Sequence, residues 1–367
     1  MSGRILVVGD IITDIVAVHS QAIVPDSDTE ARITTTGGGS AANTAAWLAR
    51  LGVAVDLLGA VGVDLAGEER VAELTEAGVG CGCVVWSRTS PTGTIIVLTD
   101  GRQRTFLTDR GANRDLQPSD VDDALASLPD VAHVHLSGYT LLDDASRPAG
   151  LRALAAAAEL GLTTSVDAAS AEPLRQAGAD RFLDWIRGAD LLLANVDEAR
   201  ILAGLVTDAA SDPSSSSFRP AGPHGARVAD GSPEAVARAL AHALIGASAG
   251  GAGGRAEGGA ELTPGRDGDA GRGPDGDRPG VRLPEVVVKL GPGGAVWARG
   301  DEVRAVPAVT ATVVDTTGAG DAFAAGLLAA RLAGADVDAA LTAAVRLGAV
   351  AVGLVGGRPP VSGRTPA

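Results

Sequence analysis

The chain has 367 residues, 46% hydrophobic and 20% charged, enough apolar material for a large core and far from collagenous, coiled-coil or disordered composition. Acidic residues outnumber basic ones 45 to 30, and a net charge of -15 repels a phosphate backbone, so no nucleic acid is expected as a partner. Four Trp, four Phe and one Tyr leave no platform for stacked bases, and the core has to be built from Val, Leu, Ile and Ala.

The first apolar run, Met1 to Val8, is cut by Asp10 and Asp14 and lacks a small-residue cleavage site. It reads as a first strand and not as a signal peptide, and no apolar stretch is long enough to span a membrane. Cys81 and Cys83 form a Cys-Gly-Cys turn too tight for an ordinary disulfide and too small for a structural zinc site. A cytoplasmic location with reduced thiols is the expectation.

Short Val/Ile/Leu runs then alternate with longer Ala/Leu/Arg stretches of helical period, the βαβ pattern of a mainly parallel sheet. Strands are predicted at Ile5 to Gly9, Val55 to Gly59, Val131 to Leu136, Thr163 to Asp167, Leu191 to Asn195 and Val286 to Leu290. Helices are predicted at Ser40 to Leu51, Gly67 to Ala77, Pro118 to Leu128, Arg147 to Leu160, Asp197 to Ala203, Pro233 to Ile245, Ala319 to Leu332 and Val337 to Gly353. Thr13 to Thr36 and Val84 to Leu107 break the alternation with Thr-rich, period-2 segments suited to a small second sheet. Ser211 to Gly231 and Ser248 to Arg282 read as flexible insertions, the latter with 12 glycines in 35 residues and too little apolar side chain to offset its ordering entropy.

The segment richest in chemistry is Asp315-Thr316-Thr317-Gly318-Ala319-Gly320-Asp321, a small-residue turn leading into a helix. Its glycines let backbone amides converge on one point, and the helix N-terminus adds positive potential, which makes an anion site. Asp321 either complements the helix dipole or accepts the proton of a hydroxyl nucleophile while the Ala319 and Gly320 amides hold a transferring phosphoryl group. A second Gly-rich turn, Gly37-Gly38-Gly39-Ser40-Ala41-Ala42-Asn43, opens the first predicted helix. Lys289 is the only lysine, so a Walker A loop is absent, and no Rossmann fingerprint follows the first strand.

Together these two segments resemble the C-terminal and N-terminal signatures of the ribokinase-like (PfkB) carbohydrate kinases, and the resemblance runs over nearly all of residues 1–367 apart from the insertions. It implies a three-layer α/β sandwich with a mainly parallel central sheet, and a β-sheet lid built from residues 13–36 and 84–107. It also implies ATP-dependent transfer of the γ-phosphoryl group to a hydroxymethyl group of a sugar, with a nucleoside as the alternative acceptor and a non-catalytic sensor as a third reading. By resemblance Asp321 is the base, and the backbone of Gly318, Ala319 and Gly320 forms the anion hole. Asp14, Gly38, Gly39 and Asn43 would hold the acceptor's hydroxyls, with Arg110 and Ser137 as further contacts. Asn195, Lys289, Gly291, Gly294 and Gly320 would line ATP, and Glu198 of Asn195-Val196-Asp197-Glu198 would organise Mg2+ through water. Asp167, at a strand end, would stand behind that metal. The resemblance further suggests K+ near Asp315 and Thr317.

Three positions depart from ribokinase: Ile12 in place of Asn, Ser40 in place of Lys and Ser137 in place of Glu. The last loop, Gly356 to Pro360, carries no diagnostic residue. His133 and His135, two apart on one predicted strand, read as a packed pair because no third ligand accompanies them. An exposed strand edge on the lid could pair with a second copy of the chain, giving a homodimer.

Overall fold

The computed structural model describes residues 3–100, 104–205, 231–249 and 283–360. The chain begins with β1 (Arg4–Val8), β2 (Ile12–His19), β3 (Ala31–Gly38) and α1 (Ser40–Arg50). It continues through β4 (Val55–Leu58), β5 (Ala60–Gly62), α2 (Leu65–Glu76), β6 (Val85–Ser87), β7 (Gly93–Thr99), β8 (Arg104–Asp109) and α3 (Pro118–Ser127). Then follow β9 (Val131–Ser137), α4 (Tyr139–Leu142), α5 (Arg147–Glu159), β10 (Thr163–Asp167), α6 (Ala171–Ala177), α7 (Ala179–Trp185), β11 (Leu191–Asn195) and α8 (Val196–Leu202). The last described elements are α9 (Pro233–Ala249), β12 (Glu285–Lys289), β13 (Ala295–Arg299), β14 (Glu302–Val306), α10 (Ala319–Leu332) and α11 (Val337–Ala351).

Eight strands form one sheet in the order β14-β13-β12-β11-β10-β9-β1-β4, parallel from β4 through β12 and antiparallel at β13 and β14. Strands buried on both faces have to be apolar at every position, which is why they read as unbroken Val/Ile/Leu runs. Alternate residues feed two cores. Leu6, Val8, Leu136 and Val288 pack under α3, α5, α8 and α9, while Ile5, Val7, Leu57 and Val287 pack under α1, α10 and α11. The result is the three-layer sandwich.

The pairing Val8↔Leu136, Asp167↔Ser137 and Asn195↔Lys289 aligns the carboxyl ends of five strands. Asp10, Ser137, Asp167, Asn195 and Lys289 therefore meet at one edge of the sheet, where ligands bind in open α/β folds. The second sheet, β3-β2-β7-β8, is the small separate sheet expected, and it is rooted at that same edge because β2 starts just after Asp10 and β3 runs into α1.

Three expectations change. Val85–Ser87 pairs with Ala60–Gly62 in a separate two-stranded sheet, so the lid's second segment starts later than Val84, at Gly93. The hairpin β13–β14 and the short helices α6 and α7 were not anticipated, since seven-residue helices and a hairpin turning at Gly300 leave little periodicity to read. The helix predicted from Pro233 runs to Ala249, so Ser248 opens no loop; the remainder of both predicted insertions, bar Gly231, lies outside the described residues.

Candidate active site

The turn before α10 is braced from within. Asp315 Oδ1 accepts from the Thr317 amide at 2.9 Å and its hydroxyl at 2.8 Å, and Oδ2 accepts from the Gly356 amide at 3.0 Å. Gly318 has φ 71°, and a Cβ there would strike the backbone of Gly357, so no other residue fits. The first-turn amides of α10 have no acceptors inside the helix, that of Ala319 donating only to the Thr316 carbonyl at 3.4 Å, and they carry the helix's positive end. The Lys289 ammonium lies 3.3 Å from where a Gly320 Cβ would be, so backbone amides and one cation converge on the same spot.

Asp321 reaches from this turn to α1. Ser40 Oγ donates to its Oδ1 at 2.8 Å and Asn43 Nδ2 to its Oδ2 at 2.9 Å. Burial pushes its carboxyl up to about 7; the Asn43 bond opposes this, Asp167 adds to it, and the Ser40 bond and Lys289 oppose it. Such a carboxyl accepts a proton near neutral pH, as a general base must. Asn43 was expected on the acceptor's hydroxyls. Its amide is instead shared between Asp321 and Arg358, so a side-chain bond from Asn43 to an acceptor would have to displace one of these.

The helix carrying Ser40 and Asn43 is fixed by Asp10. Its Oδ2 accepts from the Ser40 amide at 3.1 Å and its Oδ1 from Ser137 Oγ at 3.0 Å. Ser137 is fully buried and spent on this bond, so it is a brace and not a substrate contact. Gly39, with φ 94°, lets the backbone close onto the Asp10 carbonyl, where a Cβ would collide.

Lys289 Nζ donates to Asp167 Oδ2 at 2.7 Å. Burial favours the neutral amine, yet Asp167, Glu198 and Asp321 more than offset it and hold the lysine above its ordinary value. Glu198 is itself pushed up to about 7 by burial, with Lys289 opposing and Asp167 reinforcing. Asn195 caps α8, its Oδ1 accepting from the amides of Asp197 and Glu198 at 2.9 and 3.0 Å, while Glu198 Oε2 accepts from the Asn195 amide at 2.8 Å. Asp167, Glu198 and Asp321 thus gather around one ammonium, an acidic cluster with a single compensating cation. Among the described residues no group of three or more His, Cys, Asp or Glu side chains is placed to hold a metal ion, so Mg2+ would need further ligands from phosphate and water. Gly291 opens to free space, whereas Gly294 is pressed against the Val306 carbonyl and shapes the turn onto β14 rather than a ligand surface.

At the opposite end, Asp14 packs its carboxylate against Gly38, and among the described residues nothing donates a hydrogen bond to it. Burial pushes it up to about 6, with Arg358 pulling it down, Asp10 raising it and Arg70 pulling it down. Arg110 lies over the Tyr139 ring at 5.4 Å and 3.7 Å from Asp143, at the margin of the site. His133 and His135 bond the hydroxyls of Thr163 and Ser165 and are held neutral by burial, the packed pair expected. Sequence reading passed over Asp10 and Arg358; the Asp-x-x-x-Asp spacing after β1 was the available sign for the first, and nothing local marks the second.

The profile described as pfkB family carbohydrate kinase matches residues 2–214 and 280–363. An ATP-dependent ribose-1-phosphate kinase of Halopiger xanaduensis is 29% identical over 340 residues, 91% of this chain and 88% of that protein. Among solved structures, the adenosine kinase of Sinorhizobium meliloti superposes with a TM-score of 0.70 at 23% identity, over 99% of this chain and 97% of that one. A protein described as a ribokinase II of Escherichia coli, in complex with ATP and Mg2+, superposes with a TM-score of 0.69 at 22% identity, over 99% and 96%. Among the described residues no helix is long and apolar enough to cross a membrane.

The raised Asp321 carboxyl has a consequence for stability. Its native value lies above the unfolded one, so its contribution is complete at low pH and is lost as pH rises through about 7. Asp321→Asn, which carries no charge there, should therefore gain in melting temperature relative to the parent, by a few degrees, on going from about pH 5 to about pH 8. Thermal melts across that range check it, and a constant difference would contradict it.

Proposed function

Because this chain belongs to the pfkB family of carbohydrate kinases and is an ATP-dependent sugar kinase, we propose that Asp321 is the base that accepts the proton of the sugar's hydroxymethyl group as its oxygen attacks the γ-phosphorus of ATP. The observation that carries this reading is the placement of the Asp321 carboxylate, fixed by Ser40 and Asn43 on the first turn of the helix whose amides form the anion hole. As the new P–O bond forms and the bond to the ADP oxygen breaks, the transferring group would rest against the Gly318 to Asp321 amides and the Lys289 ammonium, which are in position beforehand and cost no reorganisation. Mg2+ bound with ATP would be held through water by Glu198, and it would neutralise phosphate charge. Asp315 is engaged by Thr317 in its own turn and by Gly356 from the loop after α11, so a K+ ion beside it would be held by backbone carbonyls.

Asp14, whose oxygens await donors, would accept hydrogen bonds from the acceptor's hydroxyls beside Gly38. Arg358 and Arg70 both act on Asp14 electrostatically, and Arg70 is buried with Nε and Nη1 unpartnered among the described residues. Two guanidinium groups at this end favour an acceptor that already carries a phosphate, in line with the sugar phosphate named for the Halopiger relative, over an uncharged nucleoside. The lid also exposes Ile33, Phe106 and Leu107, which would be covered in a homodimer formed through its outer strands.

Release of ADP from Mg-ATP with a panel of pentoses, hexoses, sugar phosphates and nucleosides tests the assignment. Turnover is expected on a sugar phosphate, and Asp321→Asn should lower kcat by about 10²–10⁴-fold. An Asn variant as fast as the parent would remove Asp321 as the base, and turnover confined to nucleosides would overturn the acceptor class. Sedimentation velocity should give a dimer that Phe106→Asp converts to monomer; a monomeric parent protein would contradict the lid interface.

A further inference from the structure

Arg358 lies in the loop after α11 and reaches back across the molecule. Its Nε donates to Asn43 Oδ1 at 3.3 Å, Nη1 to Glu73 Oε2 at 3.3 Å and Nη2 to the Gly38 carbonyl at 2.7 Å. Glu73 is held in turn by Arg70 Nη2 at 2.8 Å. A guanidinium can only donate, so the atom of the Asn43 amide that faces it is the carbonyl oxygen. The NH2 group is then left for Asp321 Oδ2, 2.9 Å away. Turning the amide over would set two donors together at Arg358 and two acceptors together at Asp321.

Two glycines make this approach sterically open. A Cβ at Gly37 would collide with the Arg358 guanidinium and Glu73, and one at Gly357 with the Asn43 amide. The loop itself is anchored by Trp47 Nε1 donating to the Gly357 carbonyl at 3.0 Å and by the Gly356 amide on Asp315. Arg358 is therefore tied to the anion-hole turn, to α1 and to α2 at once.

We propose that Arg358 is a positioning residue of the phosphoryl transfer: it fixes the orientation of the Asn43 amide so that an N–H, and not a carbonyl oxygen, meets Asp321. This rests on the reading of Asp321 as the base. Besides Asn43, the groups facing Asp321 are Ser40 on α1, Lys289 on β12 and Asp167 on β10. None of these bonds Arg358, so losing the arginine changes what the base feels chiefly through the amide. An amide free to turn withdraws a donor that favours the charged carboxylate, and the carboxyl titrates higher.

The test is a cycle of Arg358→Met, Asn43→Ala and the double variant, read by kcat, by the KM of ATP and of the acceptor, and by the acid limb of the pH–rate profile. Arg358→Met should lower kcat on the order of 10-fold, leave the KM of ATP unchanged and move the acid limb to higher pH, and it should cost nothing further once Asn43 is Ala. Losses that multiply in the double variant, an unmoved acid limb, or an effect confined to the acceptor's KM would overturn the proposal. Should Arg358→Met fail to fold, Arg358→Lys serves: one ammonium cannot hold Asn43, Glu73 and Gly38 together, so its acid limb should also rise, and an unchanged limb overturns the proposal. Asp321→Asn separates the two readings, because full activity there removes the base itself, whereas an inactive Asn variant beside unshifted Arg358 variants removes only the positioning role.

Discussion

A carboxylate drawn out of water needs donors, and the arrangement of this site follows from how Asp321 finds them. It sits in the first turn of α10, and its hydrogen bonds come from another element, Ser40 and Asn43 on α1. That helix has to be held in register with α10 across the sheet edge. Asp10, taking the Ser40 amide and the Ser137 hydroxyl, ties it to the ends of β1 and β9. Burial then places the Asp321 carboxyl near 7, high enough to take a proton and low enough to be charged at neutral pH.

The phosphate side obeys the same electrostatics with the signs balanced differently. Lys289 is a largely but not fully buried cation that persists because Asp167 bonds it and Glu198 and Asp321 lie close by. Loss of one of those carboxylates would leave its charge less compensated, and loss of the lysine would leave three acids crowded together. A phosphate brings negative charge to the lysine, and a divalent cation brings positive charge to the acids, so the cluster is completed by the pair that a nucleotide carries with its metal.

Much of this was legible in the chain. Unbroken Val/Ile/Leu runs gave the parallel strands, and the Gly-Ala-Gly-Asp turn at the start of α10 was legible because backbone amides and a carboxylate at a helix start are local properties. The lid was visible as period-2 Thr-rich segments. What stayed hidden depends on contacts far apart in sequence. Ser40 looked like a departure and donates to Asp321; Asn43 and Ser137 were read as ligand contacts and are tied to Asp321, Arg358 and Asp10. Arg358, in a loop that looked uninformative, reaches residues some 300 positions away, a relation that no local pattern encodes.

The most direct measurement is the pH dependence of phosphoryl transfer in a single turnover, with Mg-ATP and acceptor both saturating. A base whose carboxyl is raised by burial predicts a rate that falls tenfold per pH unit on its acid side and levels off above it. A rate that stays flat from about pH 5 to about pH 8 would mean that no group of this kind gates the chemistry, and Asp321 would have to be assigned a role other than base.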